Sequence, residues 1–123
     1  MTTDPRQSLG KLGEDLACGE LLRRGYEILA RRYRTKFGEI DIVARDGEVT
    51  VFVEVKTRVG GEFGTGAEAI TLWKQRRLTN MAVDFIARRR LHDRPCRFDI
   101  VAVDVGNDRV TIDVFTNAFD AMS

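Results

Sequence analysis

Apolar and polar positions along this 123-residue chain follow two periods, and the changes of period mark its elements. From Gln7 or Ser8 to Arg24, the residues Leu9, Leu12, Leu16, Ala17 and Leu21 recur at helical spacing, with Ser8 placed to cap the start and Gly25 to stop the end. Tyr26 to Arg34 then alternates, Tyr26, Ile28 and Ala30 against Glu27, Leu29 and Arg31, as a half-buried strand does. Two more alternating runs flank Asp46-Gly47, a dipeptide suited to a two-residue hairpin turn. Helical period returns between Thr71 and Leu91, where Leu78, Met81, Ala82, Phe85 and Ile86 form a core-facing stripe. Arg97 to Val105 reads as a buried strand, Gly106-Asn107-Asp108 as a turn, and a short strand continues through Val114. The second helix is long enough for a crossover between parallel strands. An α/β (α+β) fold is expected, a mixed central sheet with flanking helices in the order αβββαββ. Between its third strand and second helix, from Arg58 to Ala69, Gly60, Gly61, Gly64 and Gly66 break regular structure; the stretch reads either as a flap or as a spacer.

The hairpin carries the candidate chemistry. An Asp46-Gly47 turn pairs Arg45 with Glu48, Val43 with Thr50, Asp41 with Phe52 and Glu39 with Glu54. One face then bears Ile40, Ile42, Ala44, Val49, Val51, Val53 and Val55, all apolar, and the other bears Glu39, Asp41, Val43, Thr50, Phe52, Glu54 and Lys56. Carboxylates and lysines are poor strand residues and costly to bury unpaired, so this grouping asks for a reason. Asp41 and Glu54 become diagonal neighbours with Cβ atoms roughly 7 Å apart. Both can reach one Mg²⁺ or Mn²⁺, hard ions that take oxygen ligands. Lys56, two residues along the same face, is placed to offer charge to a phosphate or to an attacking water. Glu39 is left open, either joining the metal shell or turning outward where the sheet twists.

Asp41, a spacer and then Glu54-Val55-Lys56 resemble the signature of the PD-(D/E)XK nuclease superfamily, without its proline because Ile40 precedes the aspartate. Together with Gly13-Glu14-Asp15-Leu16-Ala17, Gly25-Tyr26, Gly38-Glu39-Ile40-Asp41, Thr57-Arg58, Lys74-Gln75 and Arg97-Phe98-Asp99, they resemble the YraN-type family of small bacterial, endonuclease-like proteins across nearly the whole chain. The resemblance implies a restriction-endonuclease-like core akin to archaeal Holliday-junction resolvases. It also implies a first-helix glutamate as an extra metal contact. Periodicity does not choose between Glu14 and Glu20 for that role; the Glu14-to-Ala17 spacing of the family favours Glu14.

Charge is segregated beneath a net charge of +1. Residues 5–36 and 73–94 carry net +4 and +5, whereas residues 38–56 and 98–123 carry −3 and −4. Basic flanks around an acidic centre suit a phosphate-backbone substrate, with Arg34, Lys36, Arg58, Lys74, Gln75, Arg76 and Arg77 as candidate contacts. The run Arg31, Arg32, Arg34 and Lys36 suits either a substrate rim or local neutralisation of the acids. Trp73 is a candidate platform for an unpaired base or a packing residue. Cys18 and Cys96 form no paired motif, and His92 alone builds neither a zinc site nor a histidine-based triad. No apolar leader or membrane span is evident and no phosphate-loop lysine motif is present, so a cytoplasmic protein that does not bind nucleoside triphosphates is expected.

These features lead to a single nuclease-like domain over residues 1–123, its loosest parts at 1–6 and 116–123. The expected activity is metal-dependent cleavage of DNA phosphodiesters, including branched repair or recombination intermediates. Asp41, Glu54 and Glu14 would hold Mg²⁺ or Mn²⁺, and Lys56 would complete the catalytic set. DNA is the expected partner, with a homodimer open. The alternative is a nucleic-acid-binding or adaptor module on the same scaffold without turnover.

Overall fold

The computed structural model describes residues 5–60 and 70–120. Helix α1 (Pro5–Arg23) precedes three strands, β1 (Glu27–Thr35), β2 (Gly38–Asp46) and β3 (Val49–Val59); helix α2 (Leu72–Arg89) then leads to β4 (Cys96–Val105) and β5 (Val110–Phe119). The strands form one sheet in the order β1-β2-β3-β4-β5. Neighbours are antiparallel except β3 and β4, which the α2 connection makes parallel. This is the expected αβββαββ arrangement.

The helix ends follow local chemistry. α1 begins at Pro5 rather than at Gln7 or Ser8, consistent with proline's preference for the first helical position, where its missing N–H costs nothing. It closes in a Schellman motif: Tyr26 N–H donates to the Leu21 carbonyl and Gly25 N–H to the Leu22 carbonyl. Tyr26 and Leu21 then share one core cluster, the apolar contact that accompanies this cap. The Thr71 hydroxyl caps α2 by accepting from Lys74 N–H at 3.1 Å.

Each sheet face has its own core. Under α1, Ala17, Cys18 and Leu21 pack on Ile42, Ala44, Val51, Val53, Val101 and Val103. Under α2, Leu78, Met81, Ala82 and Phe85 pack on Ile40, Val43, Phe52 and Phe98, as the helical stripe predicts. Phe52, Phe85, Ile42 and Val53 are among the anchors essentially inaccessible to solvent. α1 lies unusually close to the sheet at Gly13, where a Cβ would overlap the Thr57 hydroxyl. Leu12, expected in the stripe, is instead 44% exposed.

The hairpin register differs from the expected one by two residues. Asp46 pairs with Val49 and Ile42 with Val53, making Gly47-Glu48 the loop. Gly47 alone of these two has positive φ, at 61°, the pattern of a II′ turn with glycine first rather than an I′ turn on Asp46-Gly47. A two-residue shift preserves which face each side chain takes, so the site residues stay together. The continuous apolar face does not survive intact. Ile40 packs with Phe52 under α2, while Ile42 and Ala44 pack under α1. In β1, a bulge between Ile28 and Ala30 likewise sends Leu29 and Ala30 to the α2 side.

β3 runs on through Val59, so Arg58 and Val59 belong to a strand and not to the glycine-rich stretch; the flap itself falls at residues 61–69, outside the described residues. β5 continues past Val114 to Phe119, and Phe119 stacks on Phe98 at 4.7 Å, which accounts for its extra length. No helix among the described residues is long and apolar enough to cross a membrane.

Candidate functional site

Asp41 sits where two ladders are interrupted. The β2–β3 pairing ends at Ile42 and Val53, and the β1–β2 pairing skips the Arg32–Asp41 position, where Arg32 adopts φ +50°. The Asp41 carboxylate fills the break by accepting the Val55 N–H at 2.8 Å. A side chain thus replaces the backbone acceptor that β2 no longer presents, which fixes Asp41 over β3. In the continuing register Asp41 faces Glu54 directly rather than diagonally, and the two carboxyl groups lie close enough to act on each other.

The electrostatics of this contact are unusual. Burial, followed by the Glu54 charge, pushes the Asp41 carboxyl up from 3.8 to about 7, against the opposing pull of the Val55 N–H. Burial also raises Glu54, offset by the charges of Lys74, Lys56 and Arg77. Lys56 is pushed down by burial and then by nearby Lys74 in the first turn of α2. Two carboxyl groups therefore lie near each other beside two lysines, a like-with-like grouping that a simple ion pair would avoid.

Glu14 stands apart from this set. Its carboxylate bonds Arg32 at 3.0 Å and lies 3.8 Å from Arg31, influencing Asp41 through its charge. Among the described residues no group of three His, Cys, Asp or Glu side chains is arranged to hold a metal ion. Glu39 turns outward to Arg34 at 2.5 Å, which settles its open position. Arg31 also bonds Asp15 at 2.7 Å, so Arg31, Arg32 and Arg34 are each paired with an acid.

A model of the uncharacterised protein family UPF0102 matches residues 13–103. The chain belongs to this family. It is 48% identical over 114 residues to a UPF0102 protein of Symbiobacterium thermophilum, covering 92% of this chain and 97% of that one. A UPF0102 protein of Geobacter metallireducens is 44% identical over 114 residues, with 93% of each chain covered, and one of Caldicellulosiruptor saccharolyticus is 45% identical over 116 residues, with 93% and 98% covered.

The remaining candidates in this UPF0102 chain divide by position. Lys74 points to Lys56, and Gln75 donates from Nε2 to the Ile70 carbonyl at 3.3 Å, bracing the start of α2. Arg58 is half-buried two residues beyond Lys56, and its charge adds to the depression of Lys56. Arg77 reaches from α2 to Glu54, while Arg76 and Lys36 are exposed. Gly13 and Thr57 emerge as positioning residues that periodicity does not reveal, because a glycine on a helix face leaves no mark in an apolar pattern. Arg97-Phe98-Asp99 proves to be a buried structural cluster: Arg97 joins Asp99, Asp46 and the Tyr26 hydroxyl.

Proposed function

We propose that this chain is a Mg²⁺- or Mn²⁺-dependent endonuclease of the PD-(D/E)XK type that hydrolyses DNA phosphodiesters, with branched repair or recombination intermediates as substrates. The observation that carries this reading is Asp41, held over β3 by the Val55 N–H, set opposite Glu54 on the sheet and beside Lys56 and Lys74. Two carboxyl groups pressed together and driven toward protonation fit a hard divalent cation, which takes oxygen ligands from both and removes their repulsion. Bound there, such an ion supplies Lewis-acid activation of water and phosphate.

The chain's own residues do the rest. Val55 N–H holds Asp41 in place, so both carboxylates are oriented before substrate arrives. Lys56 releases its proton more readily than a solvated lysine and can take one from an attacking water. Lys74, in the first turn of α2 beside Lys56, is placed to meet the charge that builds on a phosphate in the transition state. Glu14 would join the ion only by leaving Arg31 and Arg32.

That locked position of Glu14 favours a second reading, a nucleic-acid-binding or adaptor module without turnover. Incubating labelled four-way-junction, flap, single-stranded and duplex DNA with Mg²⁺ or Mn²⁺ separates the two. The nuclease reading requires metal-dependent cutting that Asp41→Ala abolishes and Lys56→Ala slows by roughly 10²-fold or more, the scale of a lost general base. Salt-sensitive binding without cutting, alike in all three proteins, would establish the module instead.

A further inference from the structure

The start of α2 and the β1–β2 turn leave three large apolar side chains in solvent: Leu72 at 63%, Trp73 at 65% and Phe37 at 40% exposure. Trp73 is the only tryptophan of the chain. Trp73 and Phe37 share a hollow of about 350 Å³ with Arg76, Arg77 and Asn80, within the roughly 300–1,000 Å³ of small-ligand sites. The Arg77 guanidinium lies over the indole at 4.8 Å, and the Lys36 ammonium lies 5.2 Å from the Phe37 ring centre. Among the described residues no acid lines this hollow. The Arg77 Nε is buried without a hydrogen-bond partner, a donor in want of an acceptor.

We propose that Trp73 and Phe37 form a stacking site for an unpaired DNA base, with Arg76 and Arg77 holding the adjoining phosphates, so that the enzyme selects substrates carrying a single-stranded segment. The inference rests on the nuclease reading for its substrate. Bases stack on aromatic rings irrespective of sequence, and cations along the same groove track the backbone. An indole already stacked by a guanidinium on one side is held in a fixed orientation, ready to receive a base. Arg77 links this platform to the candidate active site, because the same guanidinium that covers Trp73 acts electrostatically on Glu54. An unpaired base seated there places its strand beside the carboxylates and lysines. In a continuous duplex every base is stacked within the helix and none is free to enter.

The lone tryptophan makes the test direct. With EDTA present, single-stranded oligothymidine should quench Trp73 emission and a blunt duplex of equal length should not. Trp73→Ala should weaken binding of labelled oligothymidine, read by anisotropy, about tenfold, in line with the loss of one stacked base. Duplex affinity should stay unchanged. Phe37→Ala should show the same selective loss while keeping the tryptophan signal, and circular dichroism would confirm that both variants fold. Equal quenching by duplex, or a Trp73→Ala effect that is absent or the same for both DNAs, overturns the proposal. Cleavage plays no part in this readout. A protein that never cuts yet shows selective quenching keeps the stacking site and loses the nuclease reading; one that cuts normally without selective quenching does the reverse.

Discussion

Two clusters of charge are buried in this sheet, and they are built in opposite ways. In the Arg97–Asp99 cluster, signs alternate and donors meet acceptors. Asp99 is 1% exposed, accepts from Arg97 Nε at 3.0 Å and from Asn117 N–H at 2.9 Å, and Arg97 goes on to the Tyr26 hydroxyl at 2.7 Å and to Asp46 at 3.1 Å. It ties β4 to the β2–β3 turn, to β5 and to the end of α1. In the Asp41–Glu54 cluster like meets like, acid against acid and lysine against lysine. The first arrangement is complete within the chain and serves the fold. The second crowds like charges together, and a ligand of the right charge would improve it. Burial of charge alone does not mark a functional site; unbalanced burial does.

Removing one partner from each cluster should separate them most widely. Asp99→Ala removes the buried acceptor of Arg97 and of the Asn117 N–H, leaving Arg97 only Asp46 and the Tyr26 hydroxyl, and should destabilise the protein by roughly 2–4 kcal/mol in urea unfolding. Asp41→Asn at pH 8 removes a charge from a crowded acidic pair, and should leave stability equal to or above that of wild type. An equal loss in both variants would erase the distinction.

A smaller effect appears in the pH dependence of stability without metal. Asp41 binds its proton more tightly in the folded chain, near pH 7, than at its ordinary value of 3.8. The native state therefore holds more protons across that window, and the unfolding free energy falls as pH rises from about 4 through 7. The fall should be about 2–4 kcal/mol, in keeping with a raised carboxyl. Asp41→Asn should flatten the curve, whereas a wild-type curve that rises across this window would show that Asp41 is not so held.

Much of this division can be read from the amino-acid sequence, for physical reasons. The element order is legible because the period of apolar residues changes cleanly between Arg24 and Tyr26 and again near Thr71. The grouping of Asp41, Glu54 and Lys56 is legible because strand parity survives a register error of two residues. The direct contact of Asp41 with Glu54 is not, since it depends on a II′ turn at Gly47-Glu48 and on a break in pairing that the Asp41 side chain itself repairs. Ile40 crosses to the α2 face at that same break. Neither the exposure of Leu12 nor the close approach at Gly13, a tertiary contact, has a local signature. Nor does spacing tell that Arg31 bonds Asp15 and Arg32 bonds Glu14, because these bonds span 16 and 18 residues and Arg32 adopts a positive φ.

The most direct measurement is calorimetric titration of Mn²⁺ into the wild type and Asp41→Asn near pH 7, in two buffers of different ionisation enthalpy. If the carboxylate pair is a divalent-metal site, wild type should show saturable binding with a buffer-dependent heat, as the ion displaces the Asp41 proton, and Asp41→Asn should lose both. Absence of saturable heat in wild type, or an identical titration in Asp41→Asn, would contradict a metal site at Asp41 and Glu54.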